Sequence, residues 1–193
     1  MSNMQGVIRE HLESSIAAKR RVLDTLMPAL ESAGQAIVAA VMAGNKTLFF
    51  GNGGSASDAQ HLAAEFVGRY ETERRALPAI ALTTDTSILT AVANDYAFDA
   101  IFSRQVEALG VAGDIAFGIS TSGNSKNVNQ AILAAKAKGL KTIGLTGRSG
   151  GELARIADIP IVVPVERTAH IQECHIAIGH LLCRLVDEAV AAG

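Results

Sequence analysis

The sequence predicts an α/β protein, a three-layer αβα sandwich around a five-stranded parallel sheet, with helices added at its N-terminus. Three observations predict it. From residue 47 onward, short apolar runs alternate with amphipathic helical stretches, the pattern of parallel βαβ units covered on both faces. The turns that follow the first and third runs are rich in Gly and Ser and open directly onto helical patterns. The first 45 residues hold no strand signal, only helical periodicity.

The 193 residues, 49% hydrophobic and 4% aromatic, suffice for a real core and fit one domain. We expect a single domain over 1–193, with a helical segment at 1–45 and the αβα core at 46–193. A net charge of −2 gives no electrostatic case for nucleic acid or an anionic membrane. The start Met1-Ser2-Asn3-Met4-Gln5 lacks the apolar stretch of a signal peptide, and no run approaches the ~20 apolar residues that span a bilayer. A cytoplasmic protein is expected. Cys174 and Cys183 lie nine apart on one expected helix, on roughly opposite faces at about 100° per residue, and cannot bond to each other there.

In order, Ile8, Leu12, Ile16, Leu23 and Met27 recur at helical spacing and predict an amphipathic helix from about Gln5 to Met27, packed on the sheet or on a partner subunit. His11 sits beside that stripe, in a surface or interface position. A second helix, about Pro28 to Met42, ends at Ala43-Gly44-Asn45, a C-cap signal. Strands follow at Thr47–Phe50, Ala79–Thr83, Asp114–Ile119, Lys141–Leu145 and Ile159–Val163. The intervening helices are expected at Asp58–Tyr70, Ser87–Ala93 with Phe98–Leu109, Lys126–Lys138 and Gly151–Ile156, and a long helix from about Ala169 to Ala191 closes the chain.

In such sheets ligands bind beyond the carboxyl ends of the strands, where the chemistry-bearing loops fall. Gly51-Asn52-Gly53-Gly54-Ser55 joins strand to helix; its glycines let the backbone approach a ligand, and free N–H groups at the helix start favour an anion. Just inside that helix His61 and Glu65 share a face, one turn apart. Neither the Walker spacing nor the dinucleotide fingerprint is present. Ser120-Thr121-Ser122-Gly123-Asn124-Ser125 carries four hydroxyls before a helix and suits phosphate oxygens. Thr146-Gly147-Arg148-Ser149-Gly150-Gly151 reads mainly as a turn, and Asn94-Asp95 as a cap able to reach a sugar hydroxyl. On the last helix His180 lies about 80° to one side of Gln172 and His175 about 60° to the other, so only one histidine can share a site with Gln172, and spacing does not choose.

The segments Gly51 to Ser55, Asp58 to His61, Glu65 to Arg69, Asn94-Asp95, Ser120 to Ser125 and Ile171-Gln172-Glu173 through His180 together resemble the sugar-isomerase (SIS) domain family over essentially the whole chain, and within it the members that isomerise sedoheptulose 7-phosphate. The resemblance implies a flavodoxin-like fold and a homotetramer with sites shared between subunits. It implies conversion of D-sedoheptulose 7-phosphate to D-glycero-D-manno-heptose 7-phosphate through an enediolate, for ADP-heptose and lipopolysaccharide core synthesis. By the same resemblance Glu65 and His180 are the acid/base pair; Asn52, Gly53, Gly54, Ser55, Glu65, Arg69, Asn94, Asp95, Ser120, Thr121, Ser122, Ser125 and Gln172 contact the substrate. His61, Glu65, Gln172 and His180 hold one Zn²⁺ per subunit. The resemblance thereby chooses His180 over His175. At Ala169-His170 some members carry an acidic residue, which this chain lacks for a proton relay. A competing class is a non-enzymatic SIS scaffold that binds the bacterial replication initiator, expected to lack His180; a zinc hydrolase is disfavoured by the missing His-Glu-x-x-His arrangement.

Overall fold

The computed structural model describes residues 3–192. Five parallel strands, β1 (Thr47–Gly51), β2 (Ala79–Ala81), β3 (Ile115–Ser120), β4 (Lys141–Gly147) and β5 (Ile159–Val163), form one sheet in the order β2-β1-β3-β4-β5. This is the flavodoxin-like order, whose reversal point lies between β1 and β3. The eight α-helices are α1 (Met4–Thr25), α2 (Met27–Met42), α3 (Gly54–Val67), α4 (Thr86–Asp95), α5 (Ser103–Leu109), α6 (Lys126–Ala137), α7 (Gly151–Ile156) and α8 (Thr168–Ala191).

Every residue of β1 and β3 is buried, because alternate side chains enter two separate cores. Phe49, Phe117 and Ile119 join α2, α3 and α8 on one face. Leu48, Phe50 and Ala116 meet α5, α6 and α7 on the other. Removing each such Leu or Phe side chain from water stabilises the fold by about 1.5–3 kcal/mol.

Several boundaries differ from the sequence expectation. Helix α3 starts at Gly54, four residues early, and stops at Val67 because Gly68 caps it; the first loop is thus only Asn52-Gly53. Strand β2 ends at Ala81, and the Phe98–Leu109 stretch divides into a 3₁₀ turn at Phe98–Ala100 and α5. The first helix stops at Thr25, since a second helix, with Pro28 in its first turn, starts at Met27, bent by 75° from the first. No single described helix is long and apolar enough to cross a membrane.

The apolar stripe of α1 does not pack on the sheet. Ile8 and Ile16 are 59% and 68% exposed, Leu12 and Leu23 are exposed with them, and so is Met27, which falls in α2; α1 buries only Ser15 and Ala18. Both cysteines are free and buried although they lie on opposite faces of α8, because that helix is covered by α1, α2 and α3 and by the sheet. Burial pushes the Cys183 thiol up to about 12, with the Glu65 and Asp187 carboxylates adding to it.

Candidate active site

The parallel register sets Gly51, the last residue of β1, beside Ile119 of β3, and Ser120 beside Thr146 of β4. The two loops singled out in the sequence therefore leave adjacent strands at the reversal point. Asn52 and Asn127 close the gap between them with a reciprocal amide pair, each Nδ2 donating to the other's Oδ1 at 2.9 Å. The Asn52 side chain is thereby engaged, and Gly53 and Gly54 present backbone at the loop.

Helices α3 and α6 both begin here, and neither N-cap, Gly53 or Ser125, makes a side-chain cap bond. Ser125 instead lies 3.0 Å from Ser120, hydroxyl to hydroxyl. At α3 the Ser55 N–H donates to the Asn52 carbonyl and those of Ala56 and Ser57 to Gly53, and at α6 Val128 N–H donates to Asn127 Oδ1, so an anion is offered only the leading N–H groups of each helix. Gly123 holds the serine loop in shape: its φ is +68°, and a Cβ there would run into the Gly150 carbonyl oxygen. The third loop supports this one, because Leu153 N–H donates to the Gly123 carbonyl and Glu152 N–H to Asn124 Oδ1. It is a turn, as expected, with Gly150 and Gly151 at positive φ.

On α3, His61 and Glu65 face α8. His61 Nε2 lies 3.3 Å from Glu65 Oε1 and 2.8 Å from Nε2 of His180. The Gln172 side chain covers Gly54, where a Cβ would come 2.7 Å from its Cδ. Gln172 thus meets the first turn of α3 and the Asp58 carboxylate, while His61, Glu65 and His180 come together farther along the same helix. Of the two histidines that helical spacing left open, His180 is the one set against His61. His175 is fully buried, its Nε2 is 3.0 Å from the Thr146 carbonyl, and burial lowers its pKa to about 4, which keeps it neutral in the core.

Three expected contacts bond elsewhere. Arg69 is exposed and pairs with Glu73 at 3.5 Å, and Asn94 donates to its neighbour Asp95. No hydrogen bond or ion pair among the described residues joins Arg69, Asn94 or Asp95 to the His61 cluster.

Sequence reasoning gave no role to several residues that the fold places here. Asp58 is only 7% exposed with Oδ2 unpartnered. Burial raises its pKa against the opposing effect of a Gln172 hydrogen bond and of His61 and His180. Its spacing from His61 and Glu65, three and seven residues, was a legible signal of a shared helix face. Tyr70 stacks on the His180 ring, centroids 5.3 Å apart; burial and then the Glu71 carboxylate raise its phenol. Nothing in the pattern announces Tyr70 or Asn127, since each depends on where another element passes.

A second set, His11, His170 and Glu173, presents ligand atoms within 4.8 Å of one another and could hold a metal ion. It lies between α1 and α8, so His11 is seated against α8 rather than beside an open stripe. Glu173 already accepts from Ser15 at 2.5 Å, and that bond, with the His170 contact, lowers its pKa.

The SIS domain matches residues 10–147 of the chain. The phosphoheptose isomerase of Geobacter sp. strain M21 is 54% identical over 187 residues, 97% of this chain and 95% of that protein. Among solved structures, a phosphoheptose isomerase from Francisella tularensis superposes with a TM-score of 0.93 at 42% identity, covering 97% of this chain and all of that one. That of Neisseria gonorrhoeae gives 0.91 at 46% identity over 96% of this chain and all of that one. With its sheet order, its glycine and serine loops at the reversal point and these similarities over almost its full length, the chain belongs to the SIS-domain family, alongside the phosphoheptose isomerases.

Proposed function

We propose that this chain converts D-sedoheptulose 7-phosphate to D-glycero-D-manno-heptose 7-phosphate in the cytoplasm, in supply of ADP-heptose for lipopolysaccharide core. One observation carries the reading: a carboxylate on α3 and an imidazole on α8 meet around His61 Nε2, on the helix that the glycine loop opens and beside a strand that ends in the serine loop. An anion cradle beside an acid/base pair is what a phosphosugar isomerase needs. The names of the relatives support it and disfavour the scaffold reading, and the histidine a scaffold was expected to lack is present as His180.

Ketose–aldose exchange removes a proton from carbon 1, passes through an enediolate and returns a proton to carbon 2. Glu65 moves the carbon-bound proton through its carboxylate. His180 carries the hydroxyl proton on the imidazole nitrogen that a bound cation leaves free. Ser120, Thr121, Ser122 and Ser125 hold the phosphate with the α6 N-terminus, while Asn52, Gly53, Gly54, Ser55 and Gln172 orient the sugar chain.

The donor set fits a divalent cation. His61 Nε2 lies 2.8 Å from His180 Nε2 and 3.3 Å from Glu65 Oε1, so it can share an ion with either neighbour, and nitrogen donors favour zinc over magnesium. His61, Glu65, Gln172 and His180 would hold one Zn²⁺ per subunit. When bound, it supplies electrostatic stabilisation of the enediolate oxygens.

The exposed stripe of α1 and a helix α4 with no buried residue support a homotetramer, in which Arg69, Asn94 and Asp95 would complete a neighbouring subunit's site. The chain is taken as one domain, with α1 and α2 as its helical extension. Incubation of the purified protein with sedoheptulose 7-phosphate, followed for an aldoheptose phosphate, tests the reading; no product with or without added Zn²⁺ would reject it.

A further inference from the structure

The segment between α3 and β2 has no regular secondary structure, yet it is fixed at both ends to the helices that carry the site. Asp187 on α8, 1% exposed in its side chain, accepts from the N–H groups of Glu71 and Thr72 at 2.9 and 3.0 Å and from Arg74 Nε at 2.8 Å. The same guanidinium turns the other way onto the end of α3, where Nη2 donates to the Glu65 carbonyl and Nη1 to that of Phe66, both at 2.8 Å. One buried ion pair thus ties the turn that carries Glu65 to the helix that carries His180. Between these two anchors Tyr70 lays its ring on the His180 imidazole, 29° from parallel.

We propose that Tyr70 is a positioning residue for His180, held over it by the Arg74–Asp187 clamp. An imidazole has a soft χ2 torsion with a broad well. A ring packed on its face removes that freedom and keeps Nε2 aimed at His61 Nε2, 2.8 Å away. The contact is made by the ring face, so the aromatic ring is what matters and the hydroxyl is dispensable.

The activity arm of the test rests on the isomerase reading; the metal arm does not. Full-length Tyr70→Phe and Tyr70→Leu are compared with the unaltered chain for kcat and KM on sedoheptulose 7-phosphate, for Zn²⁺ affinity by chelator competition, and for Tm. Tyr70→Phe should keep kcat and Zn²⁺ affinity within about twofold. Tyr70→Leu should lose about tenfold or more in both, the usual effect of removing an outer support from a ligand, with KM within about twofold. A purely structural role would lower Tm and leave kcat and Zn²⁺ affinity of the folded protein intact, which would overturn the proposal. So would a Phe variant as impaired as the Leu variant. An unaltered chain that binds Zn²⁺ but shows no isomerisation would reject the isomerase reading alone, with the affinity series still deciding the role of Tyr70.

Discussion

His61 Nε2 and His180 Nε2 stand 2.8 Å apart although 119 residues separate them along the chain. At that distance one nitrogen must offer a lone pair to the other's N–H, or both must offer lone pairs to a shared cation. Either arrangement couples α3 to α8 at the point where Glu65 arrives, so the acid/base chemistry and the packing of these two helices are one structural problem.

Glu65→Gln and His180→Asn should each lower kcat on sedoheptulose 7-phosphate by at least about 10²-fold, the usual range for a lost general acid or base. Circular dichroism and sedimentation should be unchanged. Turnover within a few-fold of the unaltered chain by either variant would remove that side chain from the catalytic pair.

The two glycines beside the site should respond differently to Ala. At Gly54 the added methyl meets the flexible end of Gln172, so activity should fall while Tm hardly moves. At Gly123 it meets backbone at a φ of +68°, and the fold should lose about 2–4 kcal/mol by urea denaturation. Equal stability losses in the two variants would contradict this account.

His175 makes the fold sensitive to acid. Its folded pKa of about 4 lies below the ordinary 6.5, so between those values the unfolded chain binds a proton that the folded chain refuses. This contribution is fully present above pH 6.5 and is lost as pH falls toward 4, by about 3 kcal/mol in all. His175→Gln, whose amide can still donate to the Thr146 carbonyl, should flatten the decline between pH 6.5 and 4; an unchanged slope would assign it elsewhere.

Breaking the Arg74–Asp187 pair by Asp187→Asn should cost about 3–5 kcal/mol, because a buried guanidinium loses its partner. Burial alone would raise the Asp187 carboxyl, but the Thr72 and Glu71 N–H groups and Arg74 outweigh it and lower its pKa below the ordinary 3.8. Its stabilisation is therefore complete above that value and lost as pH falls beneath it. Denaturant unfolding at neutral pH, with the double variant Arg74→Met/Asp187→Leu costing less than the sum of the singles, is the check.

Ile16→Glu on the exposed face of α1 should leave the subunit folded and shift it to smaller species in analytical ultracentrifugation. A tetramer that survives the added charge would place the interface away from α1.

The amino-acid pattern alone determined the five strands, the helices between them and the loops that carry chemistry, because apolar periodicity and Gly/Ser punctuation are local properties. It also placed His61 and Glu65 on one face, since four residues nearly complete a helical turn. The choice between His175 and His180, the coupling of Asn52 to Asn127, and the arrival of Tyr70 on an imidazole 110 residues away in sequence were decided by tertiary structure. Each depends on how α8 and the segment after α3 pass one another over the sheet, and that path is set by packing between distant elements rather than by any local preference.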